Sequence, residues 1–121
     1  MTIRSFERAT VVHEAGVDPT TRLRDTPRVL SIAGTDPTGG AGIQADLKSI
    51  GANGGYGMAV ITSLVAQNTR GVRSVHTPPA SFLREQLQAV SDDVHIDAVK
   101  IGMLGDVETI ETVRGWLAEA G

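Results

Sequence analysis

Cysteine is absent from this 121-residue chain, which excludes disulfides and thiolate metal sites and permits a reducing compartment. Aromatic residues make up only 3%, so a core has to be built from Val, Ile, Leu and Ala. That composition suits a buried parallel sheet covered by helices. No apolar run approaches the roughly 20 residues needed to span a bilayer. The first 27 residues carry charges throughout and lack the apolar stretch of a signal peptide. The expectation is a cytoplasmic protein with no membrane partner. Charge of one sign is also missing: the formal charge is −3 and the pI about 5.5, with acids and bases interleaved. Without a basic stripe or an aromatic and arginine platform, nucleic acid is not an expected partner.

What is present reads as one domain. Residues 1–27 show no sustained period and contain four acidic and four basic side chains, the pattern of a flexible N-terminal extension. From Arg28 onward the pattern changes. "RVLSIAG" reads as a strand, Gly34 to Gly40 as a loop, and Ala41 to about Asn53 as a helix closed by Gly54 and Gly55. "YGMAVITSLVAQN" reads as one continuous apolar strand, buried on both faces, and "GVRSVHT" as a short third strand. Phe82, Leu83, Leu87 and Val90 recur at helical spacing behind Pro79. "IDAVKIGM" reads as a further buried strand. The final helix has Asp106 placed to cap it and Val107, Ile110, Val113 and Leu117 on one stripe.

Strands alternating with helices imply an α/β fold with a mostly parallel sheet flanked by helices. Three or four strands make a thin sheet with a long apolar edge, so residues 28–121 read as the first half of a larger domain. Such an edge predicts self-association, a homo-oligomer being one outcome.

The densest cluster of unusual residues is "AGTDPTGGAGIQADL", from Ala33 to Leu47. It fails the P-loop pattern, because Gly40 and Ala41 stand where that pattern needs lysine and a hydroxyl residue. It also fails the dinucleotide pattern, since no acidic residue ends a following strand. What remains is a strand-to-helix loop with few side chains. Gly39, Gly40 and Gly42 either let the backbone approach a ligand and close over it, or simply make a tight turn. Asp36 reads as a turn residue ahead of Pro37. Asp46 lies about 60° around the helix from Ile43, beside the core-facing stripe of Ile43, Leu47 and Ile50. A carboxylate so placed is solvated, paired or aimed at a ligand.

Gln67 and Asn68 follow the second apolar run, where an amide offers both a donor and an acceptor to a heterocycle edge. Turn chemistry is the plainer reading of Asn68. Met103 follows the strand ending at Ile101 and can cover a planar ring or fill the core. Lys100 reads as paired or snorkelling rather than phosphate-binding. In open α/β sheets ligands sit outside the carboxyl ends of strands, so Gly34, Asp46, Gln67 and Met103 form a candidate small-molecule site. His13, His76 and His95 lack ligand spacing, so no metal site is assigned. Ser31 and Ser63 lack a nucleophile elbow.

The segments "LSIAGTDPTGGAGIQADLKSI", "GYGMAVITSLVAQNTRGV" and "DAVKIGML" closely resemble, in the same order, the amino-terminal half of the hydroxymethylpyrimidine/phosphomethylpyrimidine kinases of thiamine biosynthesis. The resemblance implies a ribokinase-like fold. It also implies that ATP and Mg²⁺ are used to phosphorylate 4-amino-5-hydroxymethyl-2-methylpyrimidine and then its monophosphate. Family pyrimidine contacts map onto Gly34, Asp46, Gln67 and Met103, with the glycine loop closing over the ring. In that family the anion hole, the catalytic aspartate and most of the ATP site lie in the carboxy-terminal half, so no catalytic residue is assigned. A pyridoxal-type vitamin kinase shares the fold and the ring-recognition strategy and is the alternative within enzymes. A non-catalytic half-domain that needs a partner is the alternative outside them.

Overall fold

The computed structural model describes residues 25–120. The reading of residues 1–27 as an extension therefore falls almost wholly outside the described part. Strand β1 (Arg28–Ala33) carries an unbroken run of small and branched apolar side chains around Ser31 and is the centre of a three-stranded parallel sheet. It pairs with β2 (Tyr56–Ile61) on one side and β5 (Ala98–Ile101) on the other. Between β1 and β2 lies helix α1 (Gly42–Ala52), packed on the face to which Ser31 and Gly57 point. Helices α2 (Ala80–Ser91) and α3 (Val107–Ala120) cover the opposite face.

The core lies between that second face and its helices. Leu30, Ile32 and Val60 from the sheet meet Leu83 and Leu87 of α2 and Val113 and Trp116 of α3, all nearly solvent-free. Each such large side chain contributes about 1.5–3 kcal/mol of transfer free energy. Trp116 brings one polar atom into this layer, and its indole N–H donates to Ser91 Oγ at 3.2 Å. Asp106 accepts from the Thr109 backbone N–H at 2.7 Å, the expected cap of α3.

Four expectations are corrected. The stretch 56–68 is two strands, because the chain changes partner at Thr62 and Ser63. Thr62 N–H still donates to Ala33, continuing the β1 ladder, whereas Leu64–Asn68 forms β3 of a separate antiparallel hairpin with β4 (Gly71–His76). Among the described residues strand β5 is an edge strand with exposed Ala98, Lys100 and Ile101, where a buried strand was expected. The buried face of α3 is Thr109, Val113 and Trp116, spaced i, i+4, i+7, while Val107, Ile110 and Leu117 lie outside it. The indole outweighs the smaller aliphatics in choosing which stripe turns inward. Of the expected α2 stripe, Leu83 and Leu87 are buried and Val90 packs against the core, whereas Phe82 is half exposed.

The free edge of β2 is partly closed by a side chain. Gln86 accepts from Ile61 N–H at 3.1 Å and donates to its carbonyl at 3.0 Å, as a neighbouring strand would. Among the described residues no strand pairs with the outer edge of β5.

Candidate functional site

The glycine loop leaves the carboxyl end of β1 and is organised from within by Asp36. That carboxylate accepts from Thr38 N–H at 3.0 Å, Thr38 Oγ1 at 2.8 Å and Gly40 N–H at 3.0 Å. Gly39 N–H donates to the Asp36 carbonyl, and Asp36 N–H donates to Gln44 Oε1 of α1. The bond from the Thr38 hydroxyl, more than the burial that opposes it, holds the Asp36 carboxyl below its usual range. With Thr38, Gly39 and Gly40 N–H groups turned onto one acidic residue, the loop is not arranged as a phosphate cradle. That agrees with the missing P-loop lysine.

Gly42 answers why the loop is so rich in glycine. Its φ is +56°, and a Cβ there would run into the Gly34 carbonyl oxygen, which itself accepts from Ile43 N–H at 2.9 Å. Loop and helix therefore close on each other by backbone contact that only glycine allows. The hairpin is clasped to the same loop: Thr35 N–H donates to the Ser63 carbonyl, and Val65 N–H donates to Thr35 Oγ1 at 2.8 Å. The Val65 side chain lies beside Gly34.

Asp46 is paired. Its Oδ2 accepts from Ser31 Oγ at 2.6 Å and from Lys100 Nζ at 2.7 Å. Ser31 and Lys100 are cross-strand neighbours in the β1–β5 register, so both reach the helix from the same sheet face. Burial pushes the Asp46 carboxyl up, but the bonds from Lys100 and Ser31 and the ammonium charge outweigh it and hold the group below its ordinary value. Oδ1 accepts no bond among the described residues.

Gln67 is near the carboxyl end of a strand, as expected, but that strand belongs to the hairpin and not to the parallel sheet. It lies on β3, at a bulge in the hairpin, half buried, and its side-chain amide has no partner among the described residues. Asn68 does turn work, accepting from Arg70 N–H at 2.9 Å. Met103 follows β5 and is 87% exposed, so it does not fill the core. The structure thus ties Gly34, Gly39, Gly40, Gly42 and Asp46 to one end of β1. Gln67 and Met103 stand on flanking segments without a bond to the other site residues. A shallow hollow of about 340 Å³ lined by Pro27, Val29, Ile50 and Asn53 lies at the other end of β1.

Sequence reasoning missed Ser31, Thr35 and Gln44 as members of this assembly. The available signal was the polar interruption of two apolar strands, Ser31 in "VLSIA" and Lys100 in "AVKIG". Among the described residues no group of three or more His, Asp or Glu side chains is placed to hold a metal ion, and no helix is long and apolar enough to cross a membrane.

The glycine loop, α1 and everything after them match a single family profile, phosphomethylpyrimidine kinase, over residues 36–121. The chain belongs to that family. It is 71% identical over 91 residues to a thiamine biosynthesis multifunctional protein of Corynebacterium glutamicum, covering 75% of this chain and 12% of that protein. It is 60% identical over 84 residues to the hydroxymethylpyrimidine/phosphomethylpyrimidine kinase of Escherichia coli K12, covering 69% of this chain and 32% of the relative. A crystal structure of phosphomethylpyrimidine kinase from Clostridium difficile 630 superposes with a TM-score of 0.76 at 45% identity, over 78% of this chain and 41% of that one. A Bacillus subtilis pyridoxal kinase in complex with ADP gives 0.72 at 36%, over 79% and 38%. The expected α/β, ribokinase-like fold is therefore present, and the chain spans about a third of the length of its relative from E. coli.

Proposed function

We propose that residues 28–121 form the pyrimidine-recognising half of a ribokinase-like kinase domain. The whole protein would phosphorylate 4-amino-5-hydroxymethyl-2-methylpyrimidine and its monophosphate with ATP and Mg²⁺, in the cytoplasm. The observation that carries this reading is the pair of polar groups at the candidate site without a partner among the described residues: Asp46 Oδ1 and the side-chain amide of Gln67. A carboxylate oxygen accepts from the exocyclic amine, and an amide can both donate to a ring nitrogen and accept from an N–H. Gly34 brings bare backbone to the ring, Met103 covers its face, and the loop of Gly39, Gly40 and Gly42 closes over it. Polar readout of this kind discriminates strongly, because a wrong ring leaves buried groups unpaired.

Among the described residues no group of three or more acidic or histidine side chains converges, and the loop amides from Thr38 to Gly40 already serve Asp36, so no step of the transfer is derived through the metal or the triphosphate. A second reading, a pyridoxal-type kinase, is favoured by the likeness to the Bacillus enzyme. It is opposed by the higher identity to the pyrimidine kinases. A non-catalytic half-domain remains the third, and the unpaired outer edge of β5 is the surface through which such a piece would self-associate.

Calorimetric titration of the 121-residue chain with the aminopyrimidine, then with pyridoxal as competitor, tests the reading. Expected is saturable pyrimidine binding that Asp46→Ala and Gln67→Ala each weaken. Preference for pyridoxal, or no binding by a folded chain, overturns it. Phosphorylation assayed in the same samples separates a binding piece from an active kinase.

A further inference from the structure

Asp46 sits on the one face of the sheet where two strands place a polar side chain side by side. Ser31 on β1 and Lys100 on β5 are register partners, and both donate to the same oxygen, Oδ2, at 2.6 and 2.7 Å. Two donors on one oxygen, arriving from a rigid sheet, fix the carboxylate's rotation about its Cβ–Cγ bond. The Lys100 side chain is about half exposed, that of Asp46 only 16%. The cation thus anchors at the rim an acid that is otherwise turned inward.

We infer that Lys100, seconded by Ser31, is a positioning residue for ligand recognition: it holds Asp46 Oδ2 so that Oδ1 is left as a fixed acceptor, which selects a ring bearing an amino group. This rests on the pyrimidine-binding reading and names what gives that site its specificity. An ionised carboxylate is acceptor-only, so the complementary ligand atom must be an N–H donor. A ring with hydrogen in place of the amine leaves Oδ1 desolvated and unpaired. Without Lys100 the carboxylate keeps only the Ser31 bond and loses the adjacent cation, so its rotation is less restrained and the advantage of an amine over hydrogen shrinks. The other groups packed on Asp46 cannot substitute. Lys48 of α1 is turned to the Gly39 carbonyl, and β2 offers that face Gly57 and Ala59, neither with a polar side chain.

The test compares two ligands on four proteins. The 121-residue chain and its Lys100→Met, Lys100→Arg and Ser31→Ala variants are titrated calorimetrically with 4-amino-5-hydroxymethyl-2-methylpyrimidine and with the analogue lacking the 4-amino group. The wild-type chain should prefer the amine by about ten- to a hundredfold, the range of a hydrogen bond to a charged group. Lys100→Met should lower that preference more than Ser31→Ala does, while leaving the weaker ligand's affinity within about twofold. Lys100→Arg should restore most of it, and Ser31→Ala should lower it in part. An unchanged preference in Lys100→Met overturns the inference, and so does equal loss for both ligands, which marks a merely structural role.

A second measurement needs no ligand. The Asp46 carboxyl carbon, followed by NMR against pH, should titrate at higher pH in Lys100→Met than in the wild-type chain. An unmoved midpoint overturns the inference. If the wild-type chain binds neither pyrimidine, the functional reading fails on that result, and the titration still decides whether Lys100 holds Asp46.

Discussion

Replacing Gly42 by alanine confronts the site with its tightest backbone approach. At φ +56° an L-residue pays the left-handed penalty of about 1–2 kcal/mol. The new methyl group would also overlap the Gly34 carbonyl oxygen and come within 3.2 Å of its carbon. That obstacle is backbone, and it is held by its own bond from Ile43 N–H at 2.9 Å. Moving it forfeits roughly another 1 kcal/mol of hydrogen bonding. The sum, about 2–3 kcal/mol, corresponds to a fall in Tm of about 10–20 °C for a domain of this size.

Two further glycines calibrate the figure. Gly39 also has a positive φ, +83°, but a Cβ there meets only the flexible end of Lys48, so Gly39→Ala should cost only about the conformational 1–2 kcal/mol. Gly51 lies inside α1 with nothing near its missing Cβ, and Gly51→Ala should stabilise by about 0.5–1 kcal/mol. Thermal unfolding followed by circular dichroism should therefore rank the Tm values Gly51→Ala, wild type, Gly39→Ala, Gly42→Ala, highest first. A Gly42→Ala variant no less stable than Gly39→Ala would refute the claim that loop and helix close by backbone contact at that residue.

Leu87→Ala, at a fully buried position, should lose about 2–5 kcal/mol in urea unfolding, while Phe82→Ala, half exposed, should lose clearly less. Trp116 is the sole tryptophan, so fluorescence should show blue-shifted, buried emission in the folded chain. Trp116→Ala should cost about 3–5 kcal/mol by chemical denaturation. Asp36, Asp46, Asp97 and Asp106 are all held below the ordinary aspartate value of 3.8. A lowered folded value gives stability that is full above 3.8 and drains as pH falls through the folded values, so the urea midpoint should be flat near neutrality and drop below about pH 4. Asp36→Asn should flatten that drop.

Where one residue's neighbours in sequence decide its place, the fold was legible. The period of α1 and α2, the cap at Asp106 and the strand–loop–helix sequence around Gly34 all depend on short spacings. The split between β2 and β3 was not legible, because "VITSLV" reads equally well as a strand running on. Only Thr35 reveals the change of partner, and Thr35 is 30 residues from Val65, whose N–H it accepts. The inward stripe of α3 was misread for a related reason. An aliphatic stripe and one that contains Trp116 compete on that helix, and the choice depends on the fit of Trp116 against Ser91 of another helix. The partners of Asp46 were hidden most deeply: Lys100 lies 54 residues away, and its approach needs β5 to be placed beside β1 rather than beside β2.

That pair also bears on why the site is built as it is. A half-exposed ammonium on a largely buried carboxylate adds little to stability, since desolvation offsets most of the attraction. Two aliphatic side chains of similar size would fill the gap between β1, β5 and α1 about as well. Ser31 sharpens the point, because its hydroxyl is fully buried in the central strand and has Asp46 as its only side-chain partner. A polar residue at the most buried register of a small sheet is explained by what it holds. It holds one oxygen of a carboxylate whose other oxygen is left without a donor, beside a loop that Asp36, Thr35 and Gly42 lock against the same strand end.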